Sequence, residues 1–212
     1  MTIAEPATLV TDYLLAGFSL YWGIPLFKGI KAKWWGIAFF AVAASALIGG
    51  TYHGFPQFYP HELWAAVMFC AGVASFAMVV ATAQATGIAK TFFFWFALLK
   101  FMLYVALTSR HDEFIYVVLD SGIALLVVAL LHAIRGDPPW RWMIAAVAVS
   151  VAAAGVQAMR LAPHPQFNHN DLYHVIQIAA MVLLYRGARR LTDWAPRRPS
   201  WAAPIVPPPS AR

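Results

Sequence analysis

The chain has 212 residues, of which 61 % are hydrophobic and only 11 % charged, with a mean hydropathy of +0.65. A soluble domain covers its surface with roughly 25 % charged residues, so this composition excludes an ordinary soluble protein and makes the bilayer the expected solvent. The formal charge of +6 and isoelectric point near 9.7 would suit nucleic acid, but the placement of the basic residues gives them another explanation.

A membrane-spanning helix needs roughly 20 mostly apolar residues. Seven stretches meet that length: 8–28, 34–53, 62–86, 91–108, 114–134, 140–160 and 171–188. They leave only short loops, so the predicted fold class is all-α, a polytopic domain of seven transmembrane helices over residues 1–191. Span one follows MTIAEPATLV, which has no basic n-region and no small-residue cleavage site, and reads as a retained helix. Asp12, about one turn into it, reads as a helix-start residue favoured by the dipole. Span two opens after KAKWW and stops at TYHGFPQFYPHE, where Gly54, Pro56 and Pro60 break the helix. Span three carries the lone Cys70, so there is neither a disulfide framework nor a cysteine metal site.

Span four, TFFFWFALLKFMLYVALTS, is the most aromatic and reads as packed against lipid and neighbouring helices. Its Lys100 and Asp120 of span five fall at comparable depths, about 9–12 Å below the surface at 1.5 Å per residue. That predicts a buried ion pair between the two spans. Pro138 and Pro139 separate spans five and six, followed by tryptophans of the kind that mark headgroup depth, and His132 reads as an interfacial side chain. LAPHPQFNHND leads into span seven, with Asn170 or Asp171 placed to cap it. From 192 the sequence has six prolines in its last 21 residues, which predicts a basic, flexible, polyproline-like tail over 192–212.

The basic residues now find their reason. Lys28, Lys31, Lys33, Lys90, Arg135, Arg141, Arg186, Arg189, Arg190, Arg197, Arg198 and Arg212 all fall on one side of the predicted membrane. Only Arg110 and Arg160 fall on the other, with Lys100 inside span four. This is the positive-inside pattern; it places the N-terminus outside and the C-terminus in the cytoplasm, and no nucleic-acid partner is needed. With no eukaryotic targeting or retention signal, the expected location is a bacterial inner membrane.

Laid on that topology, six of the seven histidines are outer: His53, His61, His111, His164, His169 and His174. Glu5, Asp12, Glu62, Asp112, Glu113, Asp120 and Asp171 are outer too. Ionisable groups in a membrane are costly and usually face a partner or a cavity. An outer cluster of imidazoles and carboxylates from several helices therefore points to a periplasmic metal or acid–base site. His61, His111 and His164 read as residues at the water boundary. His53 ends span two and His174 lies about one turn into span seven, at similar depth, while His169 precedes the helix and can fold back toward them. Asp171 shares a helix face with His174, three residues on, where it can ligate a metal or orient the imidazole. Zinc is the natural metal, since three protein ligands and a water make a hydrolytic centre.

The stretches SALIGGTYHG, PHELW and NHNDLYHVIQ, with Asp12 in span one, resemble the CREST superfamily of seven-helix membrane proteins. Its members include alkaline ceramidases and the progestin and adipoQ receptors. The resemblance implies zinc held by His53, His169 and His174, with Ser45 and Glu62 as accompanying catalytic residues; Asp171 joins them from its own position beside His174 on the helix face. The family's serine lies four residues before the span-two histidine, where this chain has Gly49; Ser45 is a turn further away. Its span-seven histidines are four apart, whereas His169 and His174 are five apart.

The leading expectation is a zinc-dependent membrane hydrolase acting on an amide or ester bond of a membrane lipid. The alternative is a non-enzymatic accessory subunit of a larger bacterial membrane complex. Two further readings are weaker: axial haem ligation by outer histidines, and proton or ion transport, for which the central zone offers only Lys100 and Asp120.

Overall fold

The computed structural model describes residues 3–58, 62–136 and 138–193. Among them are seven helices: α1 (Pro6–Lys28), α2 (Lys33–Gly54), α3 (Glu62–Thr86), α4 (Lys90–Thr108), α5 (Ile115–Arg135), α6 (Trp140–Ala158) and α7 (His169–Asp193). Five of them, α2 to α6, are long and apolar enough to cross a membrane. Local chemistry sets the ends. Pro6 occupies the first turn of α1, where its missing N–H costs nothing. Gly136 closes α5 in the left-handed region at φ +61°, with its N–H returning to the His132 carbonyl.

The helix ends fall within two residues of the sequence expectation except at the end of α7, and α7 departs from it most. Helix α7 starts at His169 and runs to Asp193, so Thr192 and Asp193, assigned to the tail, are helical; residues 194–212 of that tail lie outside the described residues. The cap of α7 is Asn168, not Asn170 or Asp171. The Asn170 N–H donates to Asn168 Oδ1 at 2.7 Å, and the Asn168 N–H donates to Asp171 Oδ2 at 2.6 Å. This reciprocal capping box places the cap three residues before its carboxylate.

The helices pack as a ring in the order α1, α2, α3, α5, α6, α7 and back to α1, with α4 outside it against α3 and α5. The α1–α2 contact is intimate because glycines on α2 face α1. A Cβ on Gly36 would run into the Phe27 backbone, and one on Gly50 would come within 2.8 Å of Asp12 Cβ. A closely packed core follows: Leu26, Trp35, Phe39, Met143, Met181 and Leu184 are buried together across α1, α2, α6 and α7. The surface is inverted relative to a soluble protein. On α4, Phe92, Trp95, Leu99, Met102 and Leu103 are each more than half exposed, an apolar face suited to lipid.

The predicted Lys100–Asp120 ion pair is present and buried. Lys100 Nζ also donates to Ser75 Oγ at 2.7 Å, so α3 joins α4 and α5 in one polar tie. His132, in contrast, is fully buried, on the one face of α5 that also buries Val128 and Leu131, while Leu130 and Ile134 beside it are exposed.

Candidate functional site

Helix α1 buries one stripe, which includes Thr8, Thr11, Asp12, Leu15 and Ser19. At a repeat of three and four residues this is a single face, and its N-terminal half is polar. The face meets the first turns of α7, where the capping box holds Asp171 and leaves His174 one turn further in. Thr8 Oγ1 donates to Asp171 Oδ1 at 2.8 Å and lies 3.0 Å from Glu5 Oε2. Its single hydroxyl hydrogen is therefore placed between two carboxylates. Glu5 in turn sits 3.6 Å from His53 Nδ1, at the end of α2.

The centre of the network is His174 against Asp12, with Nε2 and Oδ1 3.2 Å apart. On its other side, His174 Nδ1 lies 3.2 Å from Thr11 Oγ1, which can donate its hydrogen to the Thr8 carbonyl at 3.1 Å. These contacts constrain the protons. If Thr11 donates to Thr8, its oxygen accepts from a protonated His174 Nδ1; if Thr11 donates to Nδ1, a neutral His174 carries its proton on Nε2, the nitrogen beside Asp12. Asp12, Asp171 and His174 are all buried. Removing a carboxylate from water costs several kcal/mol unless it is paired, which is why each is held by a specific partner.

The pair opens onto a cavity of about 410 Å³, within the size range of ligand sites. All six helices of the ring line it and α4 contributes nothing. Polar groups gather at the end near the α7 cap: Asp12, His53, Gln157, Asn170 and His174. Away from them the wall is mostly apolar, with Val42, Ala46, Ala74, Met78, Leu125 and Met181, interrupted by Ser45, Ser121, Ser150 and Gln177. Gln157 Nε2 donates to Asn170 Oδ1 at 2.8 Å, fixing the orientation of that amide at the polar end.

The residues predicted from sequence divide into three groups. His53, His174 and Ser45 line the cavity, and Ser45 Oγ is engaged with the Val67 carbonyl at 3.0 Å. Asp171 belongs to the network but spends one oxygen on the α7 cap and the other on Thr8, so it braces α7 against α1. Glu62 is exposed in the first turn of α3, and His169 is half-buried at the first residue of α7; neither lines the cavity. His111 and His164 are exposed, as expected of boundary residues, and His61 lies outside the described residues.

Zinc takes three or four donors about one point, with bonds of about 2.0–2.3 Å. Both ring nitrogens of His174 already have partners, and among the described residues no group of three or more His, Cys, Asp or Glu is arranged to hold a metal ion. As arranged, His53, His169 and His174 are not such a set.

Asp12 is among the outer acids expected from sequence, but its pairing with His174 and the part played by Thr8 and Thr11 are not. A signal for that face exists: polar residues at 8, 11, 12 and 19 recur at helical spacing in a largely apolar helix.

Comparison with curated proteins and with solved structures found no match to this chain. One family model does match, over residues 7–193, from the first turn of α1 to the end of α7. The chain thus belongs to a family of unknown function, DUF6962.

Proposed function

We propose that this protein is an integral membrane hydrolase that takes a lipid-like amphiphile into its six-helix ring and cleaves an ester or amide bond with Asp12 and His174. The observation that carries the reading is the asymmetry of the cavity. Its long wall is mostly apolar and suits an acyl chain, and its polar end carries the buried Asp12–His174 pair. In the reaction, the Asp12–His174 pair accepts a proton from water as the oxygen attacks the carbonyl carbon. The acyl C–O or C–N bond then breaks, and the pair returns the proton to the leaving alcohol or amine. The amides of Asn170 and Gln177 lie on the same wall and supply donors for the developing oxyanion. No step is routed through a metal.

In the bilayer, the same reading has α1 and α7 spanning alongside α2–α6, with the N-terminus outside. In a bacterial inner membrane the Asp12–His174 end then faces the periplasm, the side that the distribution of basic residues favours. Kinship with the CREST superfamily is part of this proposal; the convergence of α1, α2 and α7 on one polar end supports it.

The test is turnover of fluorogenic lipid esters and amides by detergent-purified protein, with mass spectrometry of lipids that remain bound. Asp12→Asn and His174→Gln should each lower turnover about 100-fold or more, as expected for loss of a general acid–base group, and should still retain lipid. Asp171→Asn should mainly lower the unfolding temperature. Wild-type protein that neither retains an amphiphile nor turns one over would remove the proposal. Near-stoichiometric zinc, lost in both His53→Ala and His174→Ala, would replace it with a metal-dependent mechanism.

A further inference from the structure

The aromatic rings at the polar end of the cavity form a continuous series. His53 is in the last turn of α2, Trp64 in the first turn of α3, Phe114 just before α5, and Tyr173 and His174 belong to α7; all five line the cavity. Ring centroids follow one another at 6.0 Å from His53 to Trp64, 6.3 Å to Phe114, 6.1 Å to Tyr173 and 5.4 Å to His174. The interplanar angles are 83°, 43°, 85° and 63°, so none of these contacts is a flat stack that would close one ring face against the next. The Trp64 indole is fixed by its Nε1–H, which donates to the Asp112 carbonyl at 2.8 Å. Rings supplied by four segments and turned against one another make a collar, and a ring face attracts a cation through its quadrupole.

The charge beside the collar has the matching sign. Among the described residues that line the cavity, Asp12 is the one acid and there is no Lys or Arg. Its side chain is 5 % exposed and gives Oδ1 to His174, while Oδ2 has no hydrogen-bond partner among the described residues. Gly49, itself in the cavity wall, is beside that oxygen: a Cβ there would stand 3.7 Å from Oδ2. Glu5 and Asp171, joined through Thr8, stand behind Asp12 and add negative potential to the same end. The histidines are already engaged, His174 at both nitrogens and His53 Nδ1 beside Glu5 at 3.6 Å. A carboxylate this buried is costly without a counter-charge. A phosphate or sulfate head would find no Lys or Arg here and would meet Asp12 instead. A quaternary ammonium has no N–H to satisfy, and suits ring faces beside a single carboxylate.

We propose that the amphiphile taken into the cavity carries a quaternary ammonium head, held by the collar of Trp64, Phe114 and Tyr173 with Asp12 as its counter-charge. The inference rests on the amphiphile reading above and adds the chemistry of the head; it concerns binding, and is tested apart from turnover.

The full chain in an uncharged detergent is titrated with trace dodecyltrimethylammonium, with its uncharged isostere in which carbon replaces the nitrogen, and with dodecyl sulfate. Folding is followed by thermal unfolding. Wild type should bind the ammonium saturably and about tenfold more tightly than the isostere, with the sulfate weakest. Trp64→Leu should reduce that preference about fivefold, the effect of one cation–π contact, and Trp64→Phe should keep most of it. Asp12→Asn should reduce it as well, with the isostere bound as before. Trp95→Leu, on the exposed face of α4, should change nothing. Dodecylphosphocholine bound as tightly as the ammonium extends the site to zwitterionic heads; weaker binding restricts it to simple cations. The proposal is overturned if the isostere or the sulfate binds as tightly as the ammonium. It is also overturned if Trp64→Leu and Asp12→Asn weaken the isostere as much as the ammonium. Ammonium-selective binding without turnover of any ester or amide would keep this site and remove the hydrolase; turnover without ammonium selectivity would do the reverse.

Discussion

Asp12 reaches His174 only because α2 lets α1 come close. Gly49 and Gly50 are neighbours in sequence, but they meet α1 differently. A Cβ on Gly50 would lie 2.8 Å from Asp12 Cβ and 3.0 Å from the Tyr13 ring, whereas one on Gly49 would lie 3.7 Å from Asp12 Oδ2 and 3.9 Å from Val67. Gly50→Ala should therefore destabilise the protein by about 1–3 kcal/mol, the usual cost of overpacking, and should displace Asp12 from His174. Gly49→Ala should be accommodated at ordinary contact distances. Unfolding temperatures of the two variants, read beside turnover, test this; equal effects would mean that the α1–α2 approach does not position Asp12. The pair of variants also bears on what was readable. His53 and His174 could be picked out because histidines are few and these two sit in or against spans. Asp12 could be read as a helix-start acid and as the span-one acid of the resemblance, but its pairing with His174 could not, since nothing in one sequence says which two helices touch. The partner of a buried group is a tertiary fact.

Among the helices, the centres were legible and the ends less so. Every span expected from apolar runs became a helix, because a run of roughly 20 apolar residues has few other ways to satisfy its backbone in a bilayer. The start of α7 shifted to His169 because Asn168 and Asp171 cap reciprocally, a local hydrogen-bond pattern that hydropathy does not register. The Lys100–Asp120 tie was legible from depth alone, but Ser75 was not, since it comes from a third helix. That tie makes a clear prediction about α4, which lies outside the ring and has few other polar anchors to it. Lys100→Met leaves Asp120 buried without its cation and should cost roughly 3–5 kcal/mol, whereas Lys100→Met combined with Asp120→Leu should recover much of the loss. Thermal unfolding of both variants in detergent decides it. A double variant as unstable as the single one would show that the pair holds α4 by its geometry and not merely by mutual neutralisation.

At the scale of the whole molecule, charge separates the two ends as sharply as the packing does. One end carries His53, Asp171, Asp12 and His174; the other carries Lys31, Lys90 and Arg135 around their own hollow. The number of helices could be read from the chain, but the closure of α7 onto α1, the exclusion of α4 and the cavity could not, because each depends on which faces pair. The proposed orientation rests on charge: it puts the lysine- and arginine-rich end in the cytoplasm. This is testable in cells with Cys70 replaced by Ala and a single cysteine introduced at either end. Ile30 is 97 % exposed in the α1–α2 connection, and Gln166 is exposed between α6 and α7. A membrane-impermeant maleimide should label Gln166→Cys in intact cells and Ile30→Cys only after the membrane is opened. Neither substitution removes a basic residue, so the charge bias that sets orientation stays intact. The reverse labelling would put the Asp12–His174 end in the cytoplasm and the basic hollow outside. Any amphiphile taken up by the cavity would then have to come from the inner leaflet, so the orientation decides which lipids the hydrolase reading can offer as substrates.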